Sequence, residues 1–465
     1  MKPPLLPHAA AILLATAGLG GIASAAESAD RTEPSTYRHF AVEERDGRVT
    51  ALRPGPEPQR PRWACEVSTA PADWSRGPDP GQPYFVAPVP FVLPPEDPGE
   101  PFHSHNHQPA VTWLANGDLL AIWYTTRKEA GTELTVLASR WRAERKAWDP
   151  ASEFFKAPRR NMHGSSLAHD GQGTVYHFNG MGPEDGTGWA HLALLLRTST
   201  DHGVTWTPPR AIGPEIKGRH QVIAGALRTR QGVWIQPCDA VPGGQGGTAL
   251  HVSTDGGATW TDPGAGKPAP VFAEGAHGEG TIAGIHAGVV ELTDGRWLAL
   301  GRGDTIGGRM PQSVSADGGR TWTYSASPFP PISSGQRLVL RRLREGPVLL
   351  LSFTSADRRQ PRAHGLDFRD SEGGSFVGYG LYAALSFDDG LTWPVRRLVT
   401  PGEGEYDGGA WTGRFQAAPD QAEPAGYLAA TQSPDGVIHL LSSRLHYRFN
   451  LAWLRVAPPP LARTR

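Results

Sequence analysis

Sulfur is scarce in this chain, with two cysteines and four methionines in 465 residues. Cys65 and Cys238 allow one disulfide at most. An oxidising compartment would permit that bridge, and two unpaired thiols are the equal alternative. Charge of one sign is lacking as well: 45 Lys and Arg face 46 Asp and Glu, for a formal net charge of −1. That balance excludes a nucleic-acid or membrane-surface partner recruited through bulk charge. No helical period runs far, which excludes a fold built on long helices. Long apolar runs are missing except for "AAAILLATAGLGGIA" (9–23). It is too short to span a bilayer comfortably. With Lys2 before it and the small residues "ASA" (23–25) after it, residues 1–25 read as an export signal, so a periplasmic or extracellular location is expected.

Glycine (57), proline (44) and tryptophan (15) are plentiful, the mix that many short strands joined by tight turns require. One octapeptide is written four times: "STDHGVTW" (199–206), "STDGGATW" (253–260), "SADGGRTW" (315–322) and "SFDDGLTW" (386–393). Ser, Asp, Gly, Thr and Trp hold the same places in all four. An aspartate that bonds backbone ahead of it, with a glycine supplying positive φ, makes a hairpin corner.

A second repeat alternates with the first. It is an apolar strand, a short turn with glycine, and another apolar strand. Copies are "AVTWLANGDLLAIW" (110–123), "SSLAHDGQGTVYHF" (165–178), "VIAGALRTRQGVWI" (222–235), "GVVELTDGRWLAL" (288–300), "RLVLRRLREGPVLLL" (337–351) and "YLAATQSPDGVIHLL" (427–441). Four strands in 50–70 residues is the size of a propeller blade. The expected fold is all-β: a six-bladed β-propeller with four antiparallel strands per blade, over 105–465. A seventh blade is allowed if "HFAVEERDGRVTAL" (39–52) forms one, and 26–104 otherwise wraps the ring. A two-sheet sandwich does not explain the alternation.

The octapeptide resembles the Asp-box of the sialidase-like β-propellers, and the resemblance extends over roughly 105–455. It implies that the boxes are scaffold at outer blade corners, away from the site.

In a propeller the starts of the innermost strands converge at one mouth of the central channel. Those starts are His107, His163, His220 (two residues early), His286, Gln336–Arg337 and Tyr427. Four histidines at equivalent places point to a titratable pocket.

Set beside true sialidases, His107 occupies the place of one carboxylate-clamping arginine. The loop "TTRKEAGTEL" offers only Glu129 and Glu133 where the acid/base aspartate belongs. Arg302, Arg337 and Tyr427 match the other two clamp arginines and the nucleophilic tyrosine, and Glu279 weakly matches the carboxylate that activates it. The mouth looks more like that of the propeller ulvan lyases and rhamnose–glucuronate-cleaving enzymes, which use His and Tyr.

The resemblance therefore implies a glycan-cleaving enzyme for acidic, uronate-containing sugars. Arg337 and Arg302 would hold the carboxylate, and His107 and Tyr427 would act as base and acid in unassigned order. His163 would support them, and His286, His220, Gln336 and Trp411 would contact substrate. His446 and Tyr447 are second-tier candidates. An exo-α-sialidase with an altered clamp and a non-catalytic glycan-binding propeller are the alternatives. No cofactor is required. The run "HSHNH" places His103, His105 and His107 on one strand face, so a structural metal ion is allowed there. A monomer is expected, with no membrane span and no nucleic acid.

Overall fold

The four octapeptides close on themselves in the same way. Asp255 accepts the backbone N–H of Thr259 at 2.9 Å and its hydroxyl at 2.6 Å. Ser253 Oγ donates to Asp255 at 2.8 Å and accepts the Gly257 N–H at 2.8 Å. Trp260 Nε1 donates to the Gly257 carbonyl at 2.9 Å. Gly257 sits at φ +93°, a conformation a side chain would strain. The other copies repeat this set, as at Asp201, Asp317 and Asp388. Each box follows the third strand of a blade, whose last residue is the box serine.

The computed structural model describes residues 40–55, 60–240 and 246–461, all within one compact unit. The export signal read at 1–25 lies outside the described residues. Among these residues no helix is long and apolar enough to cross a membrane. Cys65 and Cys238 are unpaired, the latter buried.

The described strands form six blades. Blade I holds His105–Trp113, Leu119–Thr126 and Thr135–Arg142, with two short strands on its edge. Blade II holds Ser165–His169, Val175–Met181, Leu192–Ser199 and Arg210–Lys217. In blade III the inner strand is broken into Gln221–Val222 and Leu227–Arg228, both paired with Trp234–Asp239; Thr248–Ser253 follows. Blade IV begins with Ile285–Glu291 and Trp297–Arg302, blade V with Val339–Arg342 and Val348–Phe353, and blade VI with Ala429–Gln432 and Ile438–Leu441.

Residues 39–52 do not add a seventh blade. Phe40–Arg45 and Arg48–Pro54 form a hairpin that extends the outer edge of blade II, where Arg48 pairs with Glu215. The ring is closed from the N-terminal side. Phe85–Pro90 lies antiparallel to Leu445–Phe449 as the outer strand of blade VI, so the propeller reaches back beyond residue 105.

The core lies between blades. Phe178 of blade II and Cys238 of blade III share one buried cluster, Ile235 of blade III and Ala299 of blade IV another, and Trp123 of blade I and Leu441 of blade VI a third. Each blade buries both faces of its sheet, which is why the inner strands read as nearly continuous apolar runs. Gln336–Arg337 and Gly426–Tyr427 pair in parallel where blades V and VI begin. That pairing sets Arg337 directly beside Tyr427.

Candidate functional site

Two of the inner strands begin with a bulge. In blade I the register shifts between His107 and Ala110, with Gln108 at φ +54°. In blade IV it shifts between Ile285 and Gly288, with His286 at φ +51°. Left-handed backbone at non-glycine residues is costly and re-aims side chains, and both cases lie at the mouth.

Tyr427 is the centre of the cluster. Its Oη stands 3.0 Å from His286 Nε2 and accepts a 2.8 Å hydrogen bond from Arg302 Nη1. The Arg337 guanidinium lies 5.2 Å from the Tyr427 ring, and the His107 ring 3.9 Å from it. Behind His286 is Asp239. One carboxylate oxygen accepts the His286 backbone N–H at 2.6 Å, and the other approaches Nδ1 to 3.0 Å. That second contact is poorly aligned for a hydrogen bond, so Asp239 acts on the ring through its charge.

Burial, with Arg302 adding to it, pushes His286 down to about 4. At neutral pH the ring is uncharged. With its proton on Nδ1 facing Asp239, the Nε2 lone pair is free to accept from Tyr427. Arg337 is pushed down to about 10 by burial and stays charged. It spends two donors on backbone, at Leu428 O and Pro109 O.

Blades I and II supply the other wall. His163 Nε2 is faced by the side-chain nitrogens of Gln108 and Gln221 at 3.0 and 3.2 Å, so it accepts and the ring proton sits on Nδ1. Burial pushes His163 down to about 4. His107 lies well below its usual range, through burial and then its neighbour His105. Its Nδ1 is 3.3 Å from Ser443 Oγ. His107 Nε2 and His163 Nδ1 have no hydrogen-bond partner among the described residues. Tyr124 stands between these rings, 5.0 Å from His163 and 5.9 Å from His107. It donates to Glu129 at 2.8 Å, and His105 meets the same oxygen at 3.0 Å. Despite its burial, Glu129 is held down to about 2 by His105, His163 and Tyr124. It is an anion, unsuited to donate a proton.

Six residues expected at the mouth are therefore neighbours: His107, His163, His286, Arg302, Arg337 and Tyr427. Trp411 stands at the rim. It is 37% exposed, lies 5.8 Å from His105 and 6.1 Å from His107, and carries the Arg358 guanidinium 4.5 Å from its ring.

Several other expectations are corrected by their contacts. His220 turns away to the carbonyls of Leu192 and Glu215 and packs on His251. Gln336 is fully buried and spends its amide on Ser333, Ser355 and Pro424 backbone, so it fastens blades V and VI. His446 is held by His439 and Trp148 in the core, and Tyr447 by Glu423. Glu279 is at the surface with Lys267, and Glu133 caps its own loop through the N–H groups of Arg127 and Lys128. Among the described residues no group of three or more His, Cys, Asp or Glu side chains is arranged to hold a metal ion, and His105 is committed to Glu129.

Asp239, Tyr124, Gln108 and Gln221 escaped the reading of strand starts. The signal was present in part. Residues that end second strands return to the same mouth: Asp239 is opposite Gln221, Arg302 opposite Ile285 and Tyr124 opposite His107.

Comparison with known proteins agrees with this architecture. A sialidase of Micromonospora viridifaciens is 26% identical over 385 residues, 74% of this chain and 51% of the relative, so the chain spans about half the length of the curated relative it matches. Among solved structures, a protein of unknown function from Dyadobacter fermentans is similar with a TM-score of 0.52 at 16% identity, covering 80% of this chain and 99% of the other. A sialidase from Streptococcus pneumoniae, NanB, gives 0.49 at 14% identity over 78% of this chain and 70% of its own. Residues 117–440 match the family model described as the BNR repeat-like domain. With that span matched and the Asp-boxes at its blade corners, the chain belongs to the BNR repeat-like domain family, among the sialidase-like β-propellers.

Proposed function

We propose that this protein is an exported, monomeric enzyme that cleaves a glycosidic bond at an acidic sugar, with Tyr427 as the group that attacks. The observation that carries this reading is the position of Tyr427 Oη between His286 Nε2 and Arg302. A phenol is a poor nucleophile until it loses its proton. His286 supplies the acceptor, Asp239 favours the imidazolium that results, and Arg302 with Arg337 stabilises the phenolate. The two guanidiniums also give a carboxylate on the substrate its partners. The similarity to a sialidase of Micromonospora viridifaciens supports the same class of substrate.

In the first half-reaction Tyr427 Oη bonds to the anomeric carbon as the bond from that carbon to the leaving oxygen breaks. The phenol proton passes to His286 Nε2. The departing oxygen takes a proton from water while His107 Nε2–H hydrogen-bonds to it, and the hydroxide so formed is the equivalent that later attacks. In the second half-reaction that attack releases Tyr427 as phenolate, which recovers its proton from His286. One water is consumed overall.

A second reading rests on His107, a buried neutral imidazole with Nε2 unpartnered. On a uronate, Tyr427 would pass its proton to His286 and its phenolate would remove the C5 proton, while the glycosidic oxygen, hydrogen-bonded by His107 Nε2–H, would leave with the proton His286 had taken, with no water added. The test is incubation with aryl sialosides and polyuronates, followed by mass spectrometry. A product heavier by one water, and a Tyr427 adduct with a fluorinated acidic sugar, are expected. An unsaturated product without an adduct would replace attack by elimination. Binding of acidic glycans with no cleavage of any would overturn both.

A further inference from the structure

The opposite end of the central channel carries a second constellation. The inner strands of all six blades end there, at Trp113, His169, Arg228, Glu291, Arg342 and Gln432, around a cavity of about 430 Å³. That volume lies in the range of small-molecule sites. From His107 to Trp113 the strand runs six residues, so this cavity lies about 20 Å from the mouth.

The charges lining it do not cancel. Its two carboxylates are already engaged. Asp170 accepts the N–H groups of Gln172 and Thr174 in its own turn, and Glu291 accepts Arg230 N and pairs with the Arg230 guanidinium. Arg342 is taken by Asp389. Three guanidiniums form no ion pair among the described residues: Arg341, and the exposed Arg228 and Arg344, the last with Glu345 and Asp435 acting on it through charge. Arg341 is half-buried and makes one hydrogen bond, to Ala430 O at 3.3 Å, out of five donors. Burial and the nearby Arg344 push it down to about 10, so like charges face each other inside a partly desolvated space. Arg344 also lies 5.5 Å from the Trp113 ring, which His169 approaches to 4.0 Å. His169 Nδ1 accepts the Gly171 N–H, which leaves its proton on Nε2 as a further donor.

An unpaired, partly buried cation such as Arg341 is unfavourable unless an anion completes it. We propose that this far-end cavity is a binding site for an oxyanion, held by Arg341, Arg344 and Arg228 and independent of the site at the mouth. Inorganic sulfate and the sulfate ester of a sugar present the same chemistry to these donors.

The test is calorimetric titration of the full protein with sodium sulfate and, separately, with N-acetylglucosamine 6-sulfate, at constant ionic strength in chloride. Saturable one-to-one binding of at least one probe is expected, unchanged in Tyr427→Phe. Equal affinities would identify the free oxyanion as sufficient, and a tighter sugar sulfate would identify a glycan. Arg341→Gln should weaken binding about tenfold or more, as loss of a charge-assisted bidentate donor does. Arg344→Gln, at an exposed position, gives the same reading if Arg341→Gln fails to fold. The proposal is overturned if neither probe binds saturably. It is equally overturned if binding survives both substitutions, or is abolished by Arg302→Met while Arg341→Gln leaves it intact.

Discussion

The phenol of Tyr427 and the imidazole of His286 meet at 3.0 Å across the channel mouth, one from blade VI and the other from blade IV. Neither blade alone holds the pair. The parallel bridge between Arg337 and Tyr427 fixes one side, and the bulge at His286 fixes the other. Asp239 then reaches the same imidazole from blade III.

Tyr427→Phe keeps the ring and its packing while removing the oxygen. Turnover on the true substrate should fall by about a thousandfold or more, the scale on which essential proton-transfer and nucleophilic groups act. Asp239→Asn should cost less, about a hundredfold, because the carboxylate acts only through His286. Equal turnover for wild type and Tyr427→Phe would remove Tyr427 from the chemistry.

The pH profile follows from His286. Its ring must be neutral to take the phenol proton, and it charges only as pH falls toward about 4. The acid limb of kcat should therefore lie near 4 and not near 6.5. Stability sets a limit on the same side. His163, His220, His286 and His439 are all depressed, to between about 3 and about 4, chiefly by burial. Between pH 6.5 and about 3 the unfolded chain binds protons that the folded chain refuses, so the stability these groups contribute is full above 6.5 and is lost as pH falls through that window. Initial rates and thermal melts on the same samples separate the two effects. An acid limb near 6.5 in fully folded protein would contradict the assignment.

The fold was legible because its two repeats are local. The Asp-box needs only eight residues to close, and strand–turn–strand patterning needs fourteen, so both survive in the sequence without tertiary information. The site was legible only where one rule reached. Strand starts yielded His107, His163, His286, Arg337 and Tyr427. Arg302 came from resemblance, although it belongs with Asp239 and Tyr124 at the ends of second strands. His220 misled because its ring is claimed by two carbonyls of neighbouring blade II, Glu215 O five residues back and Leu192 O on a more distant strand. The hairpin at 39–52 misled because pairing with blade II through Glu215 and Arg48 is equally non-local.

Asp255→Ala should lower the melting temperature and leave turnover per folded molecule unchanged. The carboxylate fixes its corner through Thr259 and Ser253 and has no contact with the mouth. Thermal melts and active-site-normalised rates decide this. A large loss of turnover with unchanged melting would place the box in the site.

Glu423 is fully buried and pushed up to about 8 by burial. Tyr447 donates to it at 2.8 Å, and the Thr412 hydroxyl, next to Trp411, lies 3.5 Å away. A carboxyl with a raised folded value contributes stability that is full below the unfolded value and is lost as pH rises toward about 8. Glu423→Gln removes that titration. The variant should melt higher than wild type at pH 8 and show a flatter dependence between 6.5 and 8, above the histidine window. Parallel melting curves for the two proteins across that range would show that Glu423 is not the group responsible.

His107 decides between a proton-handling role and simple strand packing. Its Nδ1 faces Ser443, its Nε2 has no partner among the described residues, and its ring lies 3.9 Å from Tyr427. If the ring only fills space, His107→Ala should reduce stability and leave turnover nearly intact. If Nε2–H meets the leaving oxygen, turnover should fall by about a hundredfold while the protein stays folded. His107→Gln, which restores an N–H donor of similar reach, should recover part of the loss. Substrates with good leaving groups should be affected least, since they depend least on that hydrogen bond. His107→Arg adds a charge beside Arg337 that cannot be deprotonated. It should abolish cleavage of a uronide, while raised cleavage of a simple sialoside by this variant would identify the site as a sialidase with an altered clamp.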